Sequence, residues 1–488
     1  MSISGALNNA SLGLAVTARL ADTISNNVSN AMTPGFGRRV AEVSSLALGG
    51  YGSGVRVVGT TRTENPFLTA ERRAMDAALG AASATSNVYE RISGALGEPG
   101  SPAALATRAT ALETRLMSAV ASPQSLTQLT DAVAAARALA QSMNGVAQEN
   151  TRLRTEADTE IARQVKTMND GLHGVRELNL KITTLSLKGE DVSALKDERE
   201  RLIDSLSSIV PLRVANRENE TVALYAANGG TLLDGRVWEL KFTRGPTTVT
   251  PDMTLGAPLS GLAQDRGVGG APAEVPAGTG NGLMDGGSLG ALFETRDRIV
   301  PEFDAEMDRY AQELIERFRD LMPAGALDGA GEGLFVDTDP GALTGLAGRL
   351  GLNAAADPAQ GGAAWRLRDG LSAAAPGDEG AGAYLQALAD AMAAARTPVG
   401  FVSQNAANGA AIMASEITSF FAGKSARSDD AQAFLTARQT ALADSETNAI
   451  GVDSDRELQA LMLIEQAYAA NARVLSVMDG LLKLLLER

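Results

Sequence analysis

The sequence predicts a mainly α protein with a β-containing insertion: a long helical bundle whose N- and C-terminal helices pair into a coiled-coil-like terminal domain. Three observations lead there. Apolar residues recur alternately three and four apart over the last 36 residues. The same spacing appears between Ile3 and Val28. Between these ends lie long helical patterns with short connections, broken after Pro211 by β-forming runs and hairpin-turn signals.

In the C-terminal stretch, Ser454 is followed three residues later by Glu457, which reads as a capping box. Leu461, Ile464, Tyr468, Asn471, Leu475, Met478, Leu482 and Leu485 then form a seam in which Asn471 is the one polar residue. No proline interrupts it, and Gly480 is its only weak helix former. A lone helix of this kind is marginal in water, so the stripe requires a partner. A buried amide at a seam costs stability unless it is satisfied, so Asn471 is expected to fix the register in which the helices align.

The first residues supply that partner. Ile3, Leu7, Ala10, Leu14, Thr17, Ala21, Ile24 and Val28 repeat the alternation, and both seams are assigned to self-assembly. Leu12, Val16 and Leu20 make a second apolar row, which a two-helix pair would leave wet and which therefore favours packing between copies. The pattern fades in Ser25-Asn26-Asn27-Val28-Ser29-Asn30, residues that compete for backbone hydrogen bonds. Thr33-Pro34-Gly35-Phe36 follows with the residue order of a type II turn.

Residues 1–62 are thus expected to hold the N-terminal helix and an extended segment, with short strands from Arg38 to Gly59. Residues 63–210 form the long bundle. It opens at Asn65-Pro66, where the proline lacks only an N–H that would be unpaired anyway. It closes with a charged helix from Asp191 to Ile209. Residues 211–286 are the β-rich insertion, with turns at Asn228-Gly229-Gly230 and Asp234-Gly235 and a Gly/Pro-rich loop from Gly245. Residues 287–322 return a helix to the bundle, 323–400 are a Gly/Ala-rich outer region, 401–452 are bundle helices and 453–488 the C-terminal assembly helix.

Composition narrows the function. The chain is 44% hydrophobic but only 4% aromatic, with 51 glycines, which suits closely packed helices. A net charge of −15 argues against nucleic acid or anionic membrane as partner. Cysteine is absent, which excludes disulfides and thiolate metal sites. The first basic residue is Arg19, so a Sec-type signal peptide is not expected, and no apolar run is long enough for membrane insertion. No catalytic, metal or cofactor site is expected. His173, the only histidine, sits between Leu172 and Gly174 in a helical pattern. Gly423-Lys424-Ser425 lacks the earlier glycine of a phosphate loop, and Asp337 and Asp339 are followed by Pro340, which breaks a calcium-loop pattern. Asp197, Glu198, Glu200 and Asp204 alternate with Lys196, Arg199 and Arg201, expected to be a solvated helix face with ion pairs one turn apart.

The end motifs also carry a resemblance. Ile24-Ser25-Asn26-Asn27-Val28-Ser29-Asn30-Ala31 with Thr33-Pro34-Gly35-Phe36 resembles the N-terminal motif shared by bacterial flagellar rod, hook and hook-associated proteins. Gln466-Ala467-Tyr468-Ala469-Ala470-Asn471-Ala472-Arg473-Val474 resembles their C-terminal motif. Leu178 to Ile182, Leu195 to Ser207, the turn at Ala227-Asn228-Gly229-Gly230 and Gly287 to Asp297 are similar to the hook-associated protein 1 family. The likeness covers most of the chain outside 245–285 and 323–400. It implies a structural, non-enzymatic subunit exported through the flagellum's own type III apparatus, polymerising into the junction between hook and filament. Implied partners are copies of itself, the hook protein, the third hook-associated protein and an export chaperone. The alternatives are a hook or rod subunit, or, in another class, an exported carboxylate-dependent peptidoglycan hydrolase.

Overall fold

The computed structural model describes residues 3–48, 51–265, 272–275, 282, 285–397 and 399–486. Helix α1 (Ile3–Ser29) leads into an antiparallel hairpin, β1 (Arg39–Leu48) and β2 (Tyr51–Arg62). Helices α2 (Pro66–Leu96), α3 (Leu105–Ala121), α4 (Leu126–Ser186) and α5 (Ser193–Ser207) follow. The insertion holds β3 (Leu212–Asn216), β4 (Val222–Ala226), β5 (Thr231–Asp234) and β6 (Arg236–Val237), then β7 (Glu239–Lys241), β8 (Thr254–Leu255), β9 (Pro258–Leu259), β10 (Leu262–Asp265) and β11 (Ala273–Val275). Helix α6 (Ser288–Glu294) runs through a π-turn at Thr295–Ile299 into α7 (Val300–Asp320). The remainder comprises β12 (Phe335–Asp337), α8 (Leu346–Arg349), β13 (Leu350–Leu352), α9 (Arg366–Asp369), α10 (Ala383–Ala393), α11 (Ala410–Ile450) and α12 (Ser454–Leu486). The protein is mainly α with a β-containing insertion.

Helix α4 is the spine. At 61 residues it is about 90 Å long. Ser125 caps it by accepting a hydrogen bond from the Gln128 N–H, as Asn65 caps α2 through the Leu68 N–H. Gly145, Gly171 and Gly174, expected weak points, lie inside it without a break. Two of them admit a neighbour instead: a Cβ at 171 would stand 2.7 Å from the Leu206 side chain, and one at 174 would stand 3.0 Å from Leu202. Close approach of α5 offsets the cost of glycine within a helix.

Two apolar cores are strung along this spine. The first joins α4 up to Leu153 with parts of α2, α3, α7, α10 and α11, centred on Phe303, Tyr310, Phe318, Phe335 and Phe421. The second starts at Ile161 of α4 and takes in α5, α6 and two small sheets. Those sheets have the strand orders β3-β4-β5-β6 and β11-β10-β7, antiparallel throughout. Between the cores α4 is polar. Arg296, turned inward at the π-turn, pairs with Asp158 at 2.7 Å, both buried. Arg154 spends its donors on the carbonyls of Arg296, Thr250, Pro251 and Met253.

Two regions differ from the sequence reading. The segment from Gly245 holds strands β8 to β11 and is clamped by Arg154, where a loop was expected. Residues 323–400, expected as an outer region, supply Leu334, Phe335, Leu346, Leu352, Leu367, Leu385 and Met392 to the first core. Their weak periodicity has a physical reason. The elements there are short, and the buried Arg317 ties their ends through the carbonyls of Ala391 and Asn408.

Candidate assembly interface

Helices α1 and α12 run antiparallel, and none of their described residues belongs to the two cores. Near one end of the pair Asn27 meets Glu457; further along, Gly13 meets Asn471. On α1, Ala10, Thr17 and Ile24 are buried, while Leu7, Leu14, Ala21 and Val28 are half-buried. On α12, Leu461, Ile464, Asn471, Leu475 and Met478 are half-buried, and Tyr468 and Leu482 are exposed. The side chains of Ile3 and Leu485 lie outside the described residues. Asn471 lies flat against Gly13, where a Cβ would stand 2.8 Å from its Nδ2. The amide therefore faces a helix of its own chain. The second row of α1 is also covered from within: Leu12 packs where β2 passes at Gly54, and Val16 is buried. The hairpin thus covers part of that row, while Leu12 and Leu20 stay half-buried.

The asparagine-rich end of α1 organises the joint with the rest of the chain. The Asn27 side chain donates to the Arg39 carbonyl at 2.8 Å and accepts from the Arg39 N–H at 2.9 Å, closing the loop that contains the Pro34-Gly35 turn. Gly35 has φ +76°, as a type II turn requires, and the Phe36 N–H reaches the Thr33 carbonyl at 3.2 Å. Asn27 also donates to Glu457, which accepts from Arg38 Nε at 2.6 Å and is only 1% exposed. Glu457 is therefore not half of a capping box. The cap of α12 is Asp453, whose carboxylate accepts from the N–H groups of Asp455 and Arg456.

The charged helix α5 is likewise not a solvated face. Asp197, 6% exposed, accepts from the Gly37 N–H, from Arg39 and, at 2.6 Å, from Arg62 Nε. Arg199 is buried against Asn179 and the Glu220 carbonyl, and burial holds its pKa below the usual arginine value. Glu200 and Asp204 grip Arg73 at 2.7 Å each. Asp204 also pairs with Arg72 at 2.8 Å, and Arg72 reaches Glu446 of α11. Burial works against the Arg72 charge, but Asp204 and Glu446 outweigh it and raise its pKa. An ion-pair ladder thus joins the terminal pair to the bundle, where an apolar contact would have been the ordinary solution.

Sequence reasoning missed the outer face of α12. Leu463, Ala467, Ala470, Val474, Val477, Leu481 and Leu484 are all exposed, the leucines and valines by 41–66%. They repeat the three-four alternation on the side turned away from α1. The signal was present in the sequence, displaced from the first seam and therefore overlooked.

The other candidate residues have local partners. His173 and Glu239 are 3.1 Å apart at the surface. Lys424 lies within α11, paired with Glu302 at 3.0 Å and over the Phe420 ring. Asp337 pairs with Arg349 and accepts from the Asp339 N–H. Among the described residues no cluster of three metal-ligating side chains occurs, and no helix is long and apolar enough to cross a membrane.

Residues 89–335 match the family model of the helical domain of the flagellar hook-associated protein FlgK. The chain is 26% identical to flagellar hook-associated protein 1 of Escherichia coli over 357 residues, 70% of this chain and 61% of that protein. It is 23% identical to the Bacillus subtilis protein of the same name, over 94% of this chain and 93% of that protein. The match thus spans about three fifths of the Escherichia coli relative's length. The flagellar hook junction protein FlgK from Burkholderia pseudomallei superposes with a TM-score of 0.45 at 18% identity, covering 55% of this chain and 46% of that one. With half of its length matched by that family model, the chain belongs to the flagellar hook-associated protein FlgK family.

Proposed function

We propose that this chain is a structural subunit of the bacterial flagellum that polymerises through its terminal helices to form the junction between hook and filament. The observation that carries the reading is the bare apolar stripe of α12, from Leu463 to Leu484. Such a stripe is a liability for a monomer and an asset for a tube, where neighbouring copies bury it. Its partners on this reading are other copies of the chain, the hook protein, the third hook-associated protein and an export chaperone, and its place is outside the cell. Its work on this reading is mechanical, and Glu200 and Asp204 of the charged helix serve structure by holding Arg73.

The test is Val477→Glu in the source cells and in purified protein. A charge on an exposed helix face leaves the monomer folded but cannot enter an apolar interface without a partner. The expected outcome is normal secretion of the variant, no junction, and filament subunits shed into the medium. Wild-type filaments on cells carrying this variant would overturn the role given to the stripe.

A further inference from the structure

Within the first core, α4 and α7 meet through a buried carboxyl and a buried amide. Asn150 Nδ2 donates to Asp304 Oδ1 at 2.6 Å. Among the described residues, Asp304 Oδ2 and Asn150 Oδ1 are both buried and both lack a hydrogen-bond partner. These two leftover oxygens are the ones that a carboxylic acid and a carboxamide join, through the acid proton, to complete a cyclic pair of two hydrogen bonds. Two buried acceptors with no proton between them would both be left unpaired, a costly arrangement.

Among the described residues no arginine or lysine forms an ion pair with Asp304, and Arg154 acts on it only at a distance. Arg154, one turn along α4, directs its Nε, Nη1 and Nη2 to backbone carbonyls. Along α7 the next turn brings Asp308, whose carboxylate accepts from the N–H groups of Gly345 and Ala347 and adds repulsion. Arg349 and Arg309 face Asp308, and Arg349 is itself paired with Asp337. Asp297 and Asp252 face Arg154.

We infer that Asp304 is held as the neutral acid, its proton donated to Asn150, so that the packing of α7 on α4 is a proton-dependent contact. Burial first, and Asp308 second to it, push the Asp304 carboxyl up to about 7, against the Asn150 hydrogen bond and Arg154. The folded state then binds this proton more tightly than the unfolded chain does. Its contribution to stability is fully present below the ordinary aspartate value and is lost as pH rises through about 7.

The experiment is urea unfolding of the full chain and of Asp304→Asn, at several pH values. Asparagine keeps the shape of the neutral acid and places an N–H where the O–H stood, so the pair persists but cannot titrate. From about pH 5.5 to 8.5 the folding constant of the wild type should fall about thirtyfold relative to the variant. Parallel curves would overturn the inference, since they would mean a carboxylate charged throughout. Should the variant fail to fold, infrared spectra of the wild type decide. The carbonyl band of a buried protonated carboxylic acid, present in mild acid and bleached as pH rises through neutrality, supports the proposal, and its absence in mild acid refutes it.

Discussion

The body and the terminal pair use opposite means of holding together. Around α4 the body buries two apolar cores, with Phe303 set edge-on to Phe421 at 4.5 Å between ring centres. Among the described residues the terminal pair contributes nothing to either core. Asn27 and Arg38 hold Glu457 within the terminal region, Arg39 and Arg62 of the hairpin join it to the body through Asp197 of α5, and a whole helix face is left bare. Apolar burial is insensitive to direction, whereas an arginine–carboxylate fork fixes an angle. The body is built for stability, and the joint for orientation.

The contrast can be broken most strongly at the body. Phe303→Ala deletes a fully buried ring and should cost about 3–5 kcal/mol in urea unfolding, with the terminal pair as a bystander. An unchanged midpoint would mean that the first core is not the stabilising unit. Asp197→Ala should separate joint from body. Arg39 then loses its carboxylate and Arg62 keeps only the more distant Glu64, 3.5 Å away, a local cost of roughly 3 kcal/mol. Limited proteolysis should then trim roughly residues 1–30 and 455–488 faster than in wild type, while the unfolding midpoint of the middle stays put. Loss of the whole fold would show that the joint supports the body.

A finer test addresses the pair itself. Gly13→Ala pushes a methyl group into Asn471 and should loosen α1 from α12 by about 1–3 kcal/mol. Adding Asn471→Ala should restore part of that loss, a coupling that two independent surface positions would not display. Smallest of all is the effect of Val477→Glu on the monomer, expected within about 0.5 kcal/mol by thermal unfolding. A large shift there would mean that the stripe already has a partner within the chain.

What the sequence made legible follows from the range of the interactions. The seams on α1 and α12 are periodic, and periodicity is a property of neighbours three and four residues apart. Asn471 was visible as the one polar break in its seam, though its partner, Gly13, was not. Asp197 and Glu457 read as a solvated charge and a cap because both readings use only residues nearby. Their actual partners, Gly37 and Arg38, lie 160 and 419 residues away in sequence. The region 323–400 was obscure for a related reason. Its short elements are ordered by the surface of α4 and α7, and no local pattern announces that.

The polar stretch of α4 between Leu153 and Ile161 has a consequence for how the molecule opens. A single unbroken helix belongs to two cooperative units, with its least apolar turns at their boundary. Amide hydrogen exchange should therefore find two distinct opening free energies along one helix, with protection stepping down near Arg154 to Asp158 instead of falling away only at the ends. Either half can then melt without dragging the other with it.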